Sequence, residues 1–354
     1  MSRERAVKAM NLEPTDRVPA QEWVDHPEFI RKITGMDPFE QPEEAIVELI
    51  KKLDIDWYVA IPEKSRKFSP GESSRVEDGV HYTEWGFTGS RWEEDGVFRD
   101  EDEILEYNPL QDDTGRVRIV SEEYRKNRID ECIKGERLTG DSALVTGLYY
   151  TTLFQCFILS FGWEMFLVTA STEPERFKRT IDLFTEFSVR NIREWVASGT
   201  EVIFCHDDLA LTRGLVFPKE WYRENIFPGY ERIFEPIKKA GKKLIFVSDG
   251  NYTELIDDLF AVGVDGLMID NYVDLGPVLE KYGKSKVICG NVDSRILTSG
   301  TRDDVRREVA RCMDLGKKYP GYFIRAAGDL PHNIPLGNIE QYFDSCRELG
   351  QRQS

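Results

Sequence analysis

An α/β fold, specifically a (β/α)8 TIM barrel forming one domain over residues 1–354, is the class this sequence predicts, and three observations carry that expectation. From residue 140 onward, short apolar runs of strand character alternate with segments of helical periodicity, the pattern of a parallel sheet with crossover helices. Nearly all of those runs end in acids or glycine. The length of 354 residues exceeds the usual single domain, yet barrels of this kind reach it with insertions.

Taken in chain order, RVPAQEW (17–23) and DWYVAI (56–61) supply two early strands. Residues 62–115 read differently. VHYTEWGFTGSRWEEDGVFRD alternates with glycine-containing turns, which predicts antiparallel hairpins inserted after an early strand as a lid or wall. The stretch 111–137 is charged and helix-prone, as a solvated surface is.

The remaining strands are ALVTGLYY (143–150), EVIFCHDD (201–208), KLIFVSDG (243–250), GLMID (266–270), KVICGNVD (286–293) and YFIRAAGD (322–329). Helices are expected at about 164–197, 219–240, 252–262, 275–282, 302–317 and 338–349, several preceded by Pro, Asn or Asp. With the two early runs this makes eight strands, which favours a closed barrel over an open sheet. Leu148 to Ala170 resembles a membrane span most, but Thr151, Thr152, Gln155, Ser160 and Glu164 interrupt it and Gly162 splits it. A buried strand end followed by core helix is expected there instead.

Hydrophobic residues make up 40% of the chain and aromatics 12%, enough for a substantial core. The formal charge of -17 repels phosphate backbones and anionic membrane surfaces, so the expected partners are a small molecule or a protein, with no nucleic acid and no membrane. The six cysteines are scattered, without a C-x-x-C pair or a secretory signal, and read as reduced thiols of a cytoplasmic protein.

In such barrels catalytic groups sit at the carboxyl ends of the strands, where the following loops converge. That rule nominates His206, Asp207 and Asp208, then Asp249, Asp270, Asn291 and Asp293, and finally Arg325, Asp329 and His332. The plainer reading for several of these is helix capping, in which a side-chain oxygen satisfies an orphan amide. Neighbouring carboxylates at the end of a buried strand, such as Asp207 and Asp208, repel and lose hydration unless a proton, cation or ligand compensates. His26 follows the first strand within reach of the mouth. Trp23, Tyr149 and Tyr252 are aromatics that would wall an apolar pocket, with Trp85, Trp92 and Tyr150 near them.

The ordered segments RERAVKAMNLEPTDRVP, FGWEMFLVTASTEPERFKRTID, VSDGNYTELIDDLFAVGVDGLMID, YGKSKVICGNVDSRILTSGTRDDVRREV and HNIPLGNI resemble the uroporphyrinogen decarboxylase-like superfamily along most of the chain. The resemblance implies a (β/α)8 barrel and either decarboxylation or corrinoid-dependent methyl transfer. True decarboxylases carry an arginine-rich amino-terminal segment that grips the porphyrinogen carboxylates. Here the region reads DRVPAQEWVDHPEF, with Glu22 and Asp25, which disfavours that substrate.

Methyltransferases acting on coenzyme M are similar in GNVD and in the GT-x-x-x-V helix start, and bind zinc through a His-x-Cys element and a later cysteine. At the matching positions stand Val247, Ser248 and Asp249, and the later segment RAAGDLPHNIP has no cysteine. Thiolate ligands suit activation of a thiol, whereas carboxylate and imidazole ligands suit an oxygen-centred substrate.

The resemblance thus implies an O-demethylase-type methyltransferase. It would move a methyl group from a methoxylated, aromatic compound to cobalt(I) of methylcobamide or cobalamin on a partner corrinoid protein. Asp249, Asp207 and His206 are the expected catalytic groups. Trp23, His26, Tyr149, Tyr252, Asp270, Asn291, Asp293 and Arg325 are expected to bind substrate. His206, Asp208, Asp249 and His332 are the candidate ligands to a zinc ion. A decarboxylase or lyase of a small carboxylated substrate, with Arg213, Arg295 or Arg325 holding the carboxylate, is the alternative enzyme reading. A non-catalytic ligand-binding barrel is the third.

Overall fold

Strands rich in Val, Ile and Phe that are buried on both faces need a parallel arrangement with helices around them, and this chain supplies both. The computed structural model describes residues 2–61, 74–77, 80–85, 90–93, 98–112 and 116–352. Its strands are β1 (Gln21–Glu22), β2 (Val24–Asp25), β3 (Trp57–Val59), β4 (Ser74–Glu77), β5 (Val80–Trp85), β6 (Ser90–Glu93), β7 (Leu144–Thr146), β8 (Leu148–Tyr149), β9 (Val202–His206), β10 (Ala210–Leu211), β11 (Gly214–Leu215), β12 (Lys243–Ser248), β13 (Gly266–Ile269), β14 (Val287–Cys289), β15 (Tyr322–Phe323) and β16 (Leu330–Pro331).

Six of them form a parallel sheet in the order β15-β14-β13-β12-β9-β8, and β1-β3-β7 form a second parallel sheet. Between the two, Ala20 bridges Ile324 in parallel. Short β7 and β8 follow one another along residues 144–149, β7 pairing with β3 and β8 with β9. β4, β5 and β6 make a separate antiparallel sheet, with Tyr82 opposite both Arg75 and Glu93. The rest of the predicted 62–115 insertion, apart from 98–112, lies outside the described residues, as do the side chains of His81, Trp85 and Trp92.

The helices are α1 (Ser2–Met10), α2 (Pro27–Thr34), α3 (Pro42–Leu53), α4 (Glu101–Glu106), α5 (Glu122–Thr139), α6 (Phe154–Phe161), α7 (Trp163–Thr172), α8 (Pro174–Ala197), α9 (Lys219–Asn225), α10 (Phe227–Lys239), α11 (Ile256–Ala261), α12 (Leu275–Tyr282), α13 (Ser294–Ser299), α14 (Arg302–Gly316) and α15 (Leu336–Leu349). The single helix expected over 164–197 is interrupted at Glu173, because Pro174 has no amide hydrogen and serves instead as the first residue of α8. Gly162, at φ +76°, turns the chain by 116° between α6 and α7. Among the described residues no single helix is long and apolar enough to cross a membrane.

Two apolar layers result. The outer one packs helices on strands. The inner one is lined by Trp57, Val59, Leu144, Val202, Phe204, Ile245, Val247, Met268, Val287, Cys289 and Phe323, joined by Ala6, Ala9 and Met10 of α1. α1 sits at the amino ends of the strands, held there by Arg5 and Arg17, which both reach the buried Asp56 just ahead of β3. That leaves the carboxyl ends as the face open to solvent and chemistry.

Candidate functional site

Side chains of a strand alternate between faces, so the inward apolar residues fix which polar residues share their face two positions on. Along β9 that sequence runs Val202, Phe204, His206; along β12 it runs Ile245, Val247, Asp249; along β13 and β15 it takes Met268 to Asp270 and Phe323 to Arg325. Asp208 returns to the same side just past β9.

His206 Nε2 lies 2.8 Å from Asp208 Oδ1, and the same oxygen accepts the Asp249 amide at 2.9 Å. One ligand atom each from His206, Asp208 and Asp249 lies within 4.8 Å of the others. An imidazole and two carboxylates converging from two adjacent strands form a donor set of the kind that holds a catalytic divalent ion with a position left open. Asp270 stands next in line, its carboxylate taking the Gly250 amide at 3.0 Å.

Electrostatics follow the crowding. Burial alone would lower the His206 imidazole, but the charge and hydrogen bond of Asp208, aided by Asp249 and Asp207, outweigh it and bring it to about 9. Asp208 is correspondingly lowered, since His206 overcomes its burial. Burial and the Asp208 charge push Asp249 up to about 6, and burial does the same to Asp329. Asp249 and Asp329 are both reached by solvent although densely surrounded, as on the walls of a cleft. Two residues that the sequence places near the mouth without a role in binding or catalysis line this cleft: Asp329, which feels the His206 charge, and Tyr150, whose ring centre lies 4.4 Å from that of His206. Tyr150 was legible by the same alternation, two positions beyond Leu148.

Several expected site residues are engaged elsewhere. Asp207, expected to be catalytic, points the opposite way from His206 and Asp208. It accepts the amides of Leu153 (2.9 Å), Phe154 (2.8 Å) and Gln155 at the start of α6, and the Tyr230 hydroxyl at 2.6 Å. It is a structural anchor. His26, expected to touch substrate, caps α2 by accepting the Phe29 amide at Nδ1, while Nε2 meets the Ile334 carbonyl at 2.9 Å. Both ring nitrogens are committed, and burial lowers its pKa.

Tyr149 donates to Ser188 Oγ on α8 and lines a small cavity with Tyr150, Arg125 and Trp195, while Tyr252 is fully buried and donates to the Met268 carbonyl. Asn291 donates to the carbonyls of Asp270 and Val273. Asp293 caps α13 and pairs with Arg295. A surface cavity of about 540 Å³ there is lined by Asp293, Arg295, Arg307, Glu308 and Arg311, each arginine matched by an acid. His332 is exposed and is not among the three clustered ligands. Trp23 is half-buried against the inner layer, as is Leu148. Arg325 is buried.

Known proteins resemble the chain at both levels. A methyltransferase structure from Methanosarcina mazei superposes with a TM-score of 0.68 over 98% of each chain at 14% identity, which speaks for the fold. In sequence, a methylated-thiol–coenzyme M methyltransferase of Methanosarcina mazei is 24% identical over 188 residues, 53% of this chain and 48% of that protein. A uroporphyrinogen decarboxylase of Nocardia farcinica is 26% identical over 150 residues, 41% of each chain. The methylcobamide:CoM methyltransferase MtbA of Methanosarcina acetivorans is 25% identical over 137 residues, 38% of this chain and 40% of that one. The chain thus spans about half the length, or less, of the curated relatives it matches. These relatives are methyltransferases and decarboxylases, and what unites them with this chain is the uroporphyrinogen decarboxylase (URO-D) model, which matches residues 152–349, from the start of α6 through α15. The chain belongs to the URO-D family.

Proposed function

We propose that the protein is a corrinoid-protein-dependent methyltransferase that takes a methyl group from a methoxylated aromatic compound, working in the cytoplasm as one (β/α)8 barrel. The two parallel sheets support closure, since residues 144–149 pair on both sides and Ala20 meets Ile324. The hairpins of 62–115 would wall its mouth, and the six cysteines, all free and buried, suit a reducing compartment.

The observation that carries the reading is the His206–Asp208–Asp249 cluster, nitrogen and oxygen donors in a family whose thiol-specific members use cysteine. In the reaction cobalt(I) of the partner's corrinoid attacks the methyl carbon. A cobalt–carbon bond forms, the carbon–oxygen bond breaks, and its electron pair leaves on a phenolate. Stabilising that oxygen is the work required of the protein.

These three residues would hold a zinc ion, which when bound supplies Lewis acidity toward the ether oxygen. His206 would bind the ion as the neutral imidazole, so zinc uptake has to displace the proton that Asp208 holds on the ring, with a pKa of about 9 in the ion's absence. Asp208 fixes the imidazole from 2.8 Å, and Asp249 completes the donor set from the next strand. Tyr150 and Trp23 offer flat apolar surface for the aromatic ring.

Metal analysis followed by incubation with methoxyarenes and a cobalt(I) corrinoid protein tests this. About one zinc per chain and a methylcobalt absorbance are expected, both lost in Asp249→Asn. Asp207→Asn should retain zinc while unfolding more easily. Absence of methylcobalt with every methoxylated donor would refute the reading. Decarboxylation of a small acid is the second reading, favoured by the buried arginine at β15, and release of carbon dioxide without any corrinoid would reveal it.

A further inference from the structure

Among the described residues, Arg325 is the one buried arginine that the strand alternation turns toward the cleft, and its guanidinium is under-used. It is 8% exposed. One Nη donates to the Gly328 carbonyl at 2.6 Å, while Nε is buried without a partner. Among the described residues it forms no ion pair, whereas nearby Arg295 and Arg311 are held by Asp293 at 2.6 Å and Glu308 at 2.7 Å. Yet acids surround it: its charge is felt by Glu22, Asp249, Asp270 and Asp329. They stand close enough to sense the cation and too far to bond it.

A guanidinium taken out of water with free donors is costly unless a ligand supplies the acceptors. Its planar fork matches a carboxylate through two parallel bonds. The carboxylates of Asp249, Asp270 and Asp329 around it favour a ligand with one negative charge, because a second charge at Arg325 would meet their repulsion.

Resting on the proposed methyl transfer, we infer that Arg325 receives a carboxylate carried by the substrate, so that the methyl donor is a methoxylated carboxylic acid and not a neutral ether. The carboxylate is an anchor that keeps its carbon, while the methoxy group is presented to the His206–Asp249 side of the cleft.

Calorimetry with 4-methoxybenzoate and its neutral analogue 4-methoxybenzamide tests the anchor directly. The acid should bind roughly 10- to 100-fold more tightly, the range expected for charge-assisted hydrogen bonds. Arg325→Met should abolish that preference, and Arg325→Lys should keep part of it. Equal binding of acid and amide, no binding of either, or a preference that survives in Arg325→Met overturns the inference. Because the wild-type comparison needs no variant, a misfolded Arg325→Met leaves the test intact. The two hypotheses also fail separately. Methylcobalt formed from methoxybenzene as fast as from the acid overturns the anchor and leaves methyl transfer standing. Tight acid binding without methylcobalt from any donor leaves the anchor and overturns methyl transfer.

Discussion

Glu22, the second residue of β1, is fully buried and faces α15. One oxygen accepts the Ala326 amide at 3.2 Å and the Tyr342 hydroxyl, while Oε2 has no partner. Burial pushes the carboxyl up to about 8, against the pull of Tyr342, Arg325 and the Ala326 amide. The folded chain therefore keeps a proton that the unfolded chain gives up near the ordinary value of 4.5. The stability this provides is complete below that value and is lost as pH climbs through about 8. Glu22→Gln retains both acceptor contacts and cannot ionise. Its urea midpoint should fall less than the wild type's between about pH 5 and 8, the window set by the two pKa values. Parallel pH profiles for the two proteins would reject this account. The same residue shows what composition hides: an acid in the amino-terminal segment counts against a polycarboxylate substrate only if it faces the cleft, and Glu22 faces away.

At the scale of elements, the hairpin β10–β11 leans on the loop after β12. Gly250 has φ +78°, and a Cβ there would lie 2.6 Å from the Ala210 carbonyl oxygen and 2.7 Å from that of Leu211. Its amide is the one bound to Asp270, and the next amide, Asn251, donates to the Leu211 carbonyl at 3.0 Å. Gly250→Ala must therefore move backbone and adopt a left-handed conformation, costing about 1–3 kcal/mol. It should also pull Asp249 away from Asp208. The expected outcome is a lower melting temperature together with weakened zinc binding, and wild-type values for both would show that the contact is slack. How far such elements were legible depends on burial. KLIFVSDG, GLMID and KVICGNVD predicted β12, β13 and β14 well, because strands buried on both faces read as continuous apolar runs. The same continuity conceals which face is interior. Asp207 and Asp208 look alike in sequence, and only the position of Phe204 in the inner layer separates the anchor of α6 from the ligand. His26 and Tyr252 were misjudged for a related reason: proximity along the chain to a strand end does not fix direction, and each is held by a backbone carbonyl of another segment, Ile334 and Met268.

For the whole molecule, the question is whether the cleft rests on a closed ring or on two sheets that merely touch. The seam between β15 and β1 is thin. It consists of Gln21 N–H donating to the Ile324 carbonyl and Ile324 N–H to the Pro19 carbonyl, both at 3.0 Å. Sequence gave little guidance here, since the RVPAQEW run carries a proline and a buried acid and yields a strand of only two residues. The position of Arg325 depends on this seam, because Arg325 follows Ile324 directly and Trp23 follows β1. In a closed barrel the seam would open only with the core, so its amides should approach the protection of Phe246 in β12, which has partners on both sides. In an open sheet Gln21 and Ile324 would lie at edges that fray at a cost of about 0–3 kcal/mol, well short of the global 5–15 kcal/mol. Native-state hydrogen exchange resolved to these amides distinguishes the two arrangements. Comparable protection at Gln21, Ile324 and Phe246 is the expected result. Exchange at the two seam amides many orders of magnitude faster than at Phe246 would mean that β1 and β15 part independently of the core, and the anchor at Arg325 would then move relative to the His206–Asp249 wall.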